Sequence, residues 1–289
     1  MRTTLLVLLL AFTNSVIAKN KAIYGEFNVF HTETSQDISI RKNAKATALV
    51  VNKFSIEKIT DNLFAMNTKT LGQRAPLCEG NPWKDEIALG SCSSFLISKD
   101  TIVTAGHCVQ NAQWDCNQKS FIFNVESKFF TSTKKQYFRK SDVYTCSKIL
   151  AHEIDADSGI DLAVIKLDRE VEGVTPLKLS RTGDEKLGTS ITMIGNPLGL
   201  SSMTSENGRI RAFEENFYVA DLDSFAGNSG APVFKNDSND VIGVLVRGEE
   251  DFEYNEETDC FEQVKCLEGE CRGEDIVKAS SVLKLIEKI

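Results

Sequence analysis

From about Leu77 onward the chain breaks into short β-prone runs between turn-like stretches: SSFLIS, TIVTA, SFIFNV, LAVIKL, SITMIG, NFYVA, APVF and VIGVLV. Short strands at this density build a sandwich or barrels. No helical period interrupts them until the end. There GEDIVKASSVLKLIEKI sets Ile276, Ala279, Leu283 and Ile286 on one face, which predicts an amphipathic helix over 276–289 docked on the body. The fold class expected is all-β with one C-terminal helix. The zone before it, 19–74, is mixed and polar. It offers one strand candidate, Ala48–Val51, and reads as an N-terminal extension or propeptide ahead of a domain starting at 75.

The first 18 residues read as a signal peptide. Arg2 supplies the positive end, the apolar run Leu5–Phe12 is too short to span a bilayer, and Ala18 ends a run suited to cleavage. The expectation is a secreted or periplasmic monomer without a stable membrane anchor. All eight cysteines follow this leader, and an even number in an exported chain points to disulfides. Zinc is the competing reading of Cys260, Cys266 and Cys271, disfavoured by the lack of a nearby histidine. The net charge of −8 argues against nucleic acid as a partner. Neither a metal nor another cofactor is expected. The acidic run 249–259 reads as a solvated loop rather than a weak calcium site.

One serine lies between glycines in LDSFAGNSGAPVF. Ser229 there is either a turn residue or a nucleophile, and a nucleophile needs a base and a group to orient that base. Of the three histidines, His31 has no supporting pattern and reads as surface, and His152 reads as a strand-end residue. His107 sits in GSCSSFLISKDTIVTAGHCV after two strand-like runs, bracketed by Cys92 and Cys108. A disulfide between those two would stiffen the histidine turn. The carboxylate candidate is Asp161, opening the apolar strand of GIDLAVIKLD. Asp155 and Asp157 are rivals in a polar stretch.

TAGHC, DLAVIKL and GNSGAP, in that order, resemble the chymotrypsin-like (trypsin-fold) serine proteases, in particular the bacterial secreted trypsin-like and glutamyl-endopeptidase-like branch. The resemblance covers about Leu77 to the C-terminus. It implies two six-stranded antiparallel β-barrels, about 75–170 and 171–275, with the site between them. It implies a secreted endopeptidase that cuts peptide bonds of protein or peptide substrates through an acyl-enzyme. His107 would be the general base, Asp161 its orienter and Ser229 the nucleophile, with the N–H groups of Gly227 and Ser229 as oxyanion hole. The alternative is a binding protein that keeps the fold without turnover.

Two departures matter. Digestive trypsins carry an aspartate before the nucleophile that pairs with a new N-terminal ammonium. Here that residue is Asn228, so the oxyanion loop is expected to rely on other hydrogen bonds. Any cleavage in 19–74, near Arg41 or Arg74, would then only unblock access. Asp223, six residues before Ser229, corresponds to the base of the primary pocket and would select Arg or Lys before the cut, with Gly248 keeping that pocket open. Arg247 stands where it would neutralise Asp223. Glutamate specificity is disfavoured because the wall strand Val241–Val246 has no histidine.

Overall fold

The computed structural model describes residues 23–129, 134–266 and 271–289, and the leader expected over 1–18 lies outside them. Twelve strands form two closed antiparallel barrels. The first contains β1 (Thr47–Asn52), β2 (Cys92–Ser98), β3 (Thr101–Thr104), β4 (Lys119–Phe123), β5 (Val143–Asp155) and β6 (Ile160–Leu167). They close in the order β1–β4–β5–β6–β3–β2. The second contains β7 (Ser190–Gly195), β8 (Met203–Phe213), β9 (Phe217–Ala220), β10 (Pro232–Lys235), β11 (Val241–Arg247) and β12 (Glu274–Lys278). These run β7–β10–β11–β12–β9–β8, with β8 pairing back onto β7. The two windings are the same, and closure leaves neither barrel an open edge.

Strand β1 shows why the boundary expected at 75 does not separate two bodies. In TALVVN, Ala48 and Val50 face the barrel interior with Phe95, Phe121 and Val164. The alternate residues Leu49 and Val51 face outward, where Met66, Ile87, Ile122 and Phe138 cover them. Met66 and Phe138 of that cover come from a three-stranded sheet of Ile56–Thr60, Leu63–Asn67 and Lys135–Arg139. Residues 47–67 are thus a stave of the first barrel and its outer jacket. Further upstream, Val29–His31 adds to β8 of the second barrel. Both proposed cut points are also engaged, since the Arg41 and Arg74 guanidinium groups donate to the Ser35 and Ala88 carbonyls.

The terminal helix spans Ala279–Glu287, shorter than expected, because β12 runs through Lys278. Ile276 is therefore a strand residue. The helix buries Ala279, Val282 and Leu285 rather than Leu283. Four disulfides join Cys78–Cys260, Cys92–Cys108, Cys116–Cys146 and Cys266–Cys271. The bridge at the histidine turn is as expected, and Cys260, Cys266 and Cys271 have no thiolate left for zinc. Among the described residues no helix is long and apolar enough to cross a membrane.

Because Leu49, Val50 and Val51 are wholly buried, a chain that begins at residue 75 should lose the first barrel. The expected result is no cooperative thermal transition by circular dichroism, whereas the chain beginning at residue 19 melts cooperatively. A cooperatively melting 75–289 fragment would show that the stave is dispensable.

Candidate active site

Antiparallel pairing of β6 with β3 matches Ala163 to Thr104, which brings the start of β6 beside the residues that follow β3. Those residues, Gly106–Val109, form a single helical turn carrying His107. Asp161, second in β6, is 5% exposed. Its Oδ1 accepts the His107 backbone N–H at 2.8 Å, and its Oδ2 accepts from Nδ1 at 2.7 Å. The two bonds fix both the turn and the ring, and they place the ring proton on Nδ1, leaving Nε2 free to accept. Burial pushes the Asp161 carboxyl up, but the bonds and charge of His107 outweigh it and hold the group below its ordinary value. A Cβ on Gly106 would lie 2.8 Å from Asp161 Oδ1, so the glycine of TAGHC is what lets the aspartate reach. Asp155 is exposed at the hairpin tip, where it binds Asp157 N and Ser158 Oγ.

His152, expected as a strand-end residue, lies within β5 and donates from Nε2 to the Gly106 carbonyl at 3.0 Å, bracing the His107 turn. His31 is not a free surface group either. Its ring bridges Ser201 Oγ at 3.1 Å and Glu86 Oε1 at 3.0 Å, and the Glu86 hydrogen bond raises its pKa.

Ser229 lies on the loop between β9 and β10, in the other barrel. Its carbonyl accepts from Ser93 N at 2.8 Å and lies 3.7 Å from Cys108 Sγ, so the serine stands beside the residue that follows His107. Among the described residues no hydrogen bond joins His107 Nε2 to the Ser229 hydroxyl, a leg that in an empty site often closes only with substrate. Hydrogen bonds hold the loop. Ser93 Oγ donates to Gly227 O at 2.8 Å and accepts from Asn196 N at 2.9 Å, and Leu198 N donates to Ala226 O at 2.5 Å. Gly227 adopts φ +94°, a conformation that suits glycine. Among the described residues the N–H groups of Gly227 and Ser229 have no acceptor in the protein.

A family model described as a trypsin-like peptidase domain matches residues 92–244. The chain belongs to that family. Glutamyl endopeptidases of Staphylococcus aureus strains MRSA252 and MW2 are each 29% identical to it over 161 residues. That is 53% of this chain and 41% and 45% of theirs, so the chain spans less than half the length of these relatives. The crystal structure of the serine endoprotease from Yersinia pestis shares the fold, with a TM-score of 0.51 and 16% identity over 88% of this chain and 66% of that one.

The trypsin-like peptidase domain departs from expectation around Asp223 and Gly248. Asp223 is buried, and its oxygens accept main-chain N–H groups of the N-terminal arm, from Tyr24 at 2.7 Å and Asn28 at 2.8 Å. Burial pushes its carboxyl up to about 6. Arg247 does not reach Asp223, because its Nε pairs with Asp275 at 3.1 Å. Gly248 does not border an open space. A Cβ there would fall 1.8 Å from Oε2 of Glu274, a residue the sequence reading missed. Glu274 is 1% exposed, and burial holds its carboxyl well above the ordinary range. Its Oε1 accepts from Tyr24 OH and Glu249 N, while Oε2 has no hydrogen-bond partner among the described residues. The acidic run 249–259 is exposed over 256–259, but Asp251 turns inward and accepts Ala226 N at 2.7 Å. Burial pushes Asp251 up to about 7.

Two outcomes follow from this geometry. Ser93→Ala orphans the Gly227 carbonyl and the Asn196 N–H, at roughly 1–3 kcal/mol for each buried group. It should lower the melting temperature and slow labelling of Ser229 by an active-site serine reagent, and unchanged labelling would argue against the strap. For Asp251, a folded pKa above the unfolded one means the folded state holds the proton more tightly. Its contribution is therefore full below the ordinary carboxylate pKa and is lost as pH rises towards about 7. The difference in stability between the parent and Asp251→Asn should shrink across that window and then level off, as read from denaturant melts at several pH values.

Proposed function

We propose that the protein is a secreted serine endopeptidase, exported through its signal peptide, that hydrolyses peptide bonds through an acyl-enzyme. The observation that carries the reading is the buried Asp161 carboxylate holding both the main chain and Nδ1 of His107. In this mechanism Ser229 Oγ attacks the scissile carbonyl as His107 Nε2 takes its proton. The imidazolium so formed is stabilised by Asp161 and then protonates the leaving amine. The oxyanion is met by the N–H groups of Gly227 and Ser229. Such a donor is worth about 2.7–4 kcal/mol elsewhere, because it acts only once charge develops on the oxygen. Water repeats the cycle to release the acid.

The reading extends to specificity. A preference for Arg or Lys before the cut is supported by a wall of Asp223, Glu249, Asp251 and Glu274. With Asp223 occupied by the arm, Glu274 is the group to meet a cation. A glutamate side chain would face acids there, in contrast to the glutamyl endopeptidases to which the chain is similar.

A fluorophosphonate should label Ser229 of the parent, and Ser229→Ala should lose turnover by several orders of magnitude. In a panel of peptides varied at the residue before the cut, Arg and Lys should lead, and Glu274→Gln should erase that lead. A folded chain that neither labels nor cuts any peptide would be a binding protein with a peptidase fold.

A further inference from the structure

We propose that the N-terminal arm, residues 23–31, is a working part of the active site, and that Asp223 is the positioning residue through which the docked arm sets the loop carrying Gly227 and Ser229. The inference rests on the serine-peptidase reading above.

The arm meets this loop at two points. Asp223 spends its carboxylate on Tyr24 N and Asn28 N and, among the described residues, on no cation or side chain. A carboxylate this deep that lost both donors would keep a desolvated charge without partners, so the segment would have to move. Two residues further on, Phe225 packs edge-on against Trp83, with ring centroids 4.9 Å apart. Phe27 of the arm closes the cluster at 5.3 Å from Trp83 and 6.4 Å from Phe225. The Phe225 carbonyl accepts from Asn228 N at 3.0 Å, one residue before the serine. The arm thus grips both ends of Asp223–Phe225, the segment from which the oxyanion turn starts. The arm is anchored in turn by pairing of Val29–His31 with Met203–Ser205 and by the His31 bridge to Glu86 and Ser201. Asn228 offers no charge for an N-terminal ammonium, and its Oδ1 is buried without a partner among the described residues. Main-chain donors of the arm do the setting instead, and they act on Asp223.

The same contacts carry an opposite reading, because Tyr24 OH donates to Glu274 Oε1 at 3.1 Å. An arm that plugged the pocket would restrain activity, so the sign of the effect separates the two. The test compares the chain beginning at residue 19, a chain beginning at Val29, and Asp223→Asn and Phe27→Ala in the longer chain. Fluorophosphonate labelling of Ser229 and steady-state peptide cleavage are read on each.

The chain from Val29 and Asp223→Asn should label and turn over at least about tenfold more slowly, with KM within about twofold. A synthetic peptide of residues 23–28 should restore the trimmed chain and leave Asp223→Asn unrestored, a response that a merely structural loss would not give. If the trimmed chain does not fold, Asp223→Asn and Phe27→Ala decide by the same split between kcat and KM. Rates equal to or above those of the longer chain, or a deficit that lies in KM, overturn the proposal. Absence of labelling in the longer chain itself removes the peptidase reading and this inference with it.

Discussion

The site is assembled across a seam between two barrels, and Ser93 holds that seam. His107 and Asp161 hang on the first barrel, while Gly227 and Ser229 belong to the second. At the junction Ser93 donates its N–H to Ser229 O and its hydroxyl to Gly227 O, and it accepts Asn196 N. Its own carbonyl takes the Thr104 hydroxyl at 2.7 Å. The residue is wholly buried. Hydrogen bonds in such a place face no competition from water, and a misplaced group there would lie desolvated and unpaired. The preceding residue is Cys92, whose bridge to Cys108 ties the same strand to the histidine turn. One short stretch of β2 therefore fixes the turn of His107 and the loop of Ser229 together.

The second glycine of GNSG belongs to this seam. Gly230 has φ +88°, and a Cβ there would lie 2.2 Å from the Ser93 carbonyl. No side chain fits between the loop and β2. The glycine is required so that the barrels can approach each other, independently of any contact with substrate.

The places of His107, Asp161 and Ser229 in the fold were legible because each sits in a local pattern: a strand end, a strand start and a small-residue turn. The strand density of 77–289 was legible for the same reason. Strand β1 was only half visible. Both faces of TALVVN are buried, one by the barrel and one by its jacket, so the polar alternation that marks a strand is missing. Asp223 was found by spacing and given a substrate because its real partners, Tyr24 and Asn28, lie 199 and 195 residues away and use main-chain N–H groups, which leave no mark on the side-chain pattern. Glu274 was hidden likewise. It follows a glycine in an acidic stretch, and nothing local says that Gly248 makes room for it. Arg247 looked like a partner for Asp223 until β11 and β12 paired it with Asp275.

Burial pushes the carboxyls of Asp223, Asp251 and Glu274 up, which makes these acids tolerable together. Glu274 is shielded from water, with carboxylates of Asp251 and Glu249 close enough to disfavour its ionisation. A neutral carboxyl in such a wall costs less to bury than a charge. Under the proposed preference for Arg or Lys, an arriving cationic side chain would reverse the balance: the ion pair would favour the charged form, and the proton would leave as the cation binds. A glutamate side chain gives no such exchange. It would either bring a second charge to a desolvated acid or carry in its own proton. On that reading substrate charge and wall protonation would be one linked equilibrium, which would set this wall apart from one built for an anionic side chain.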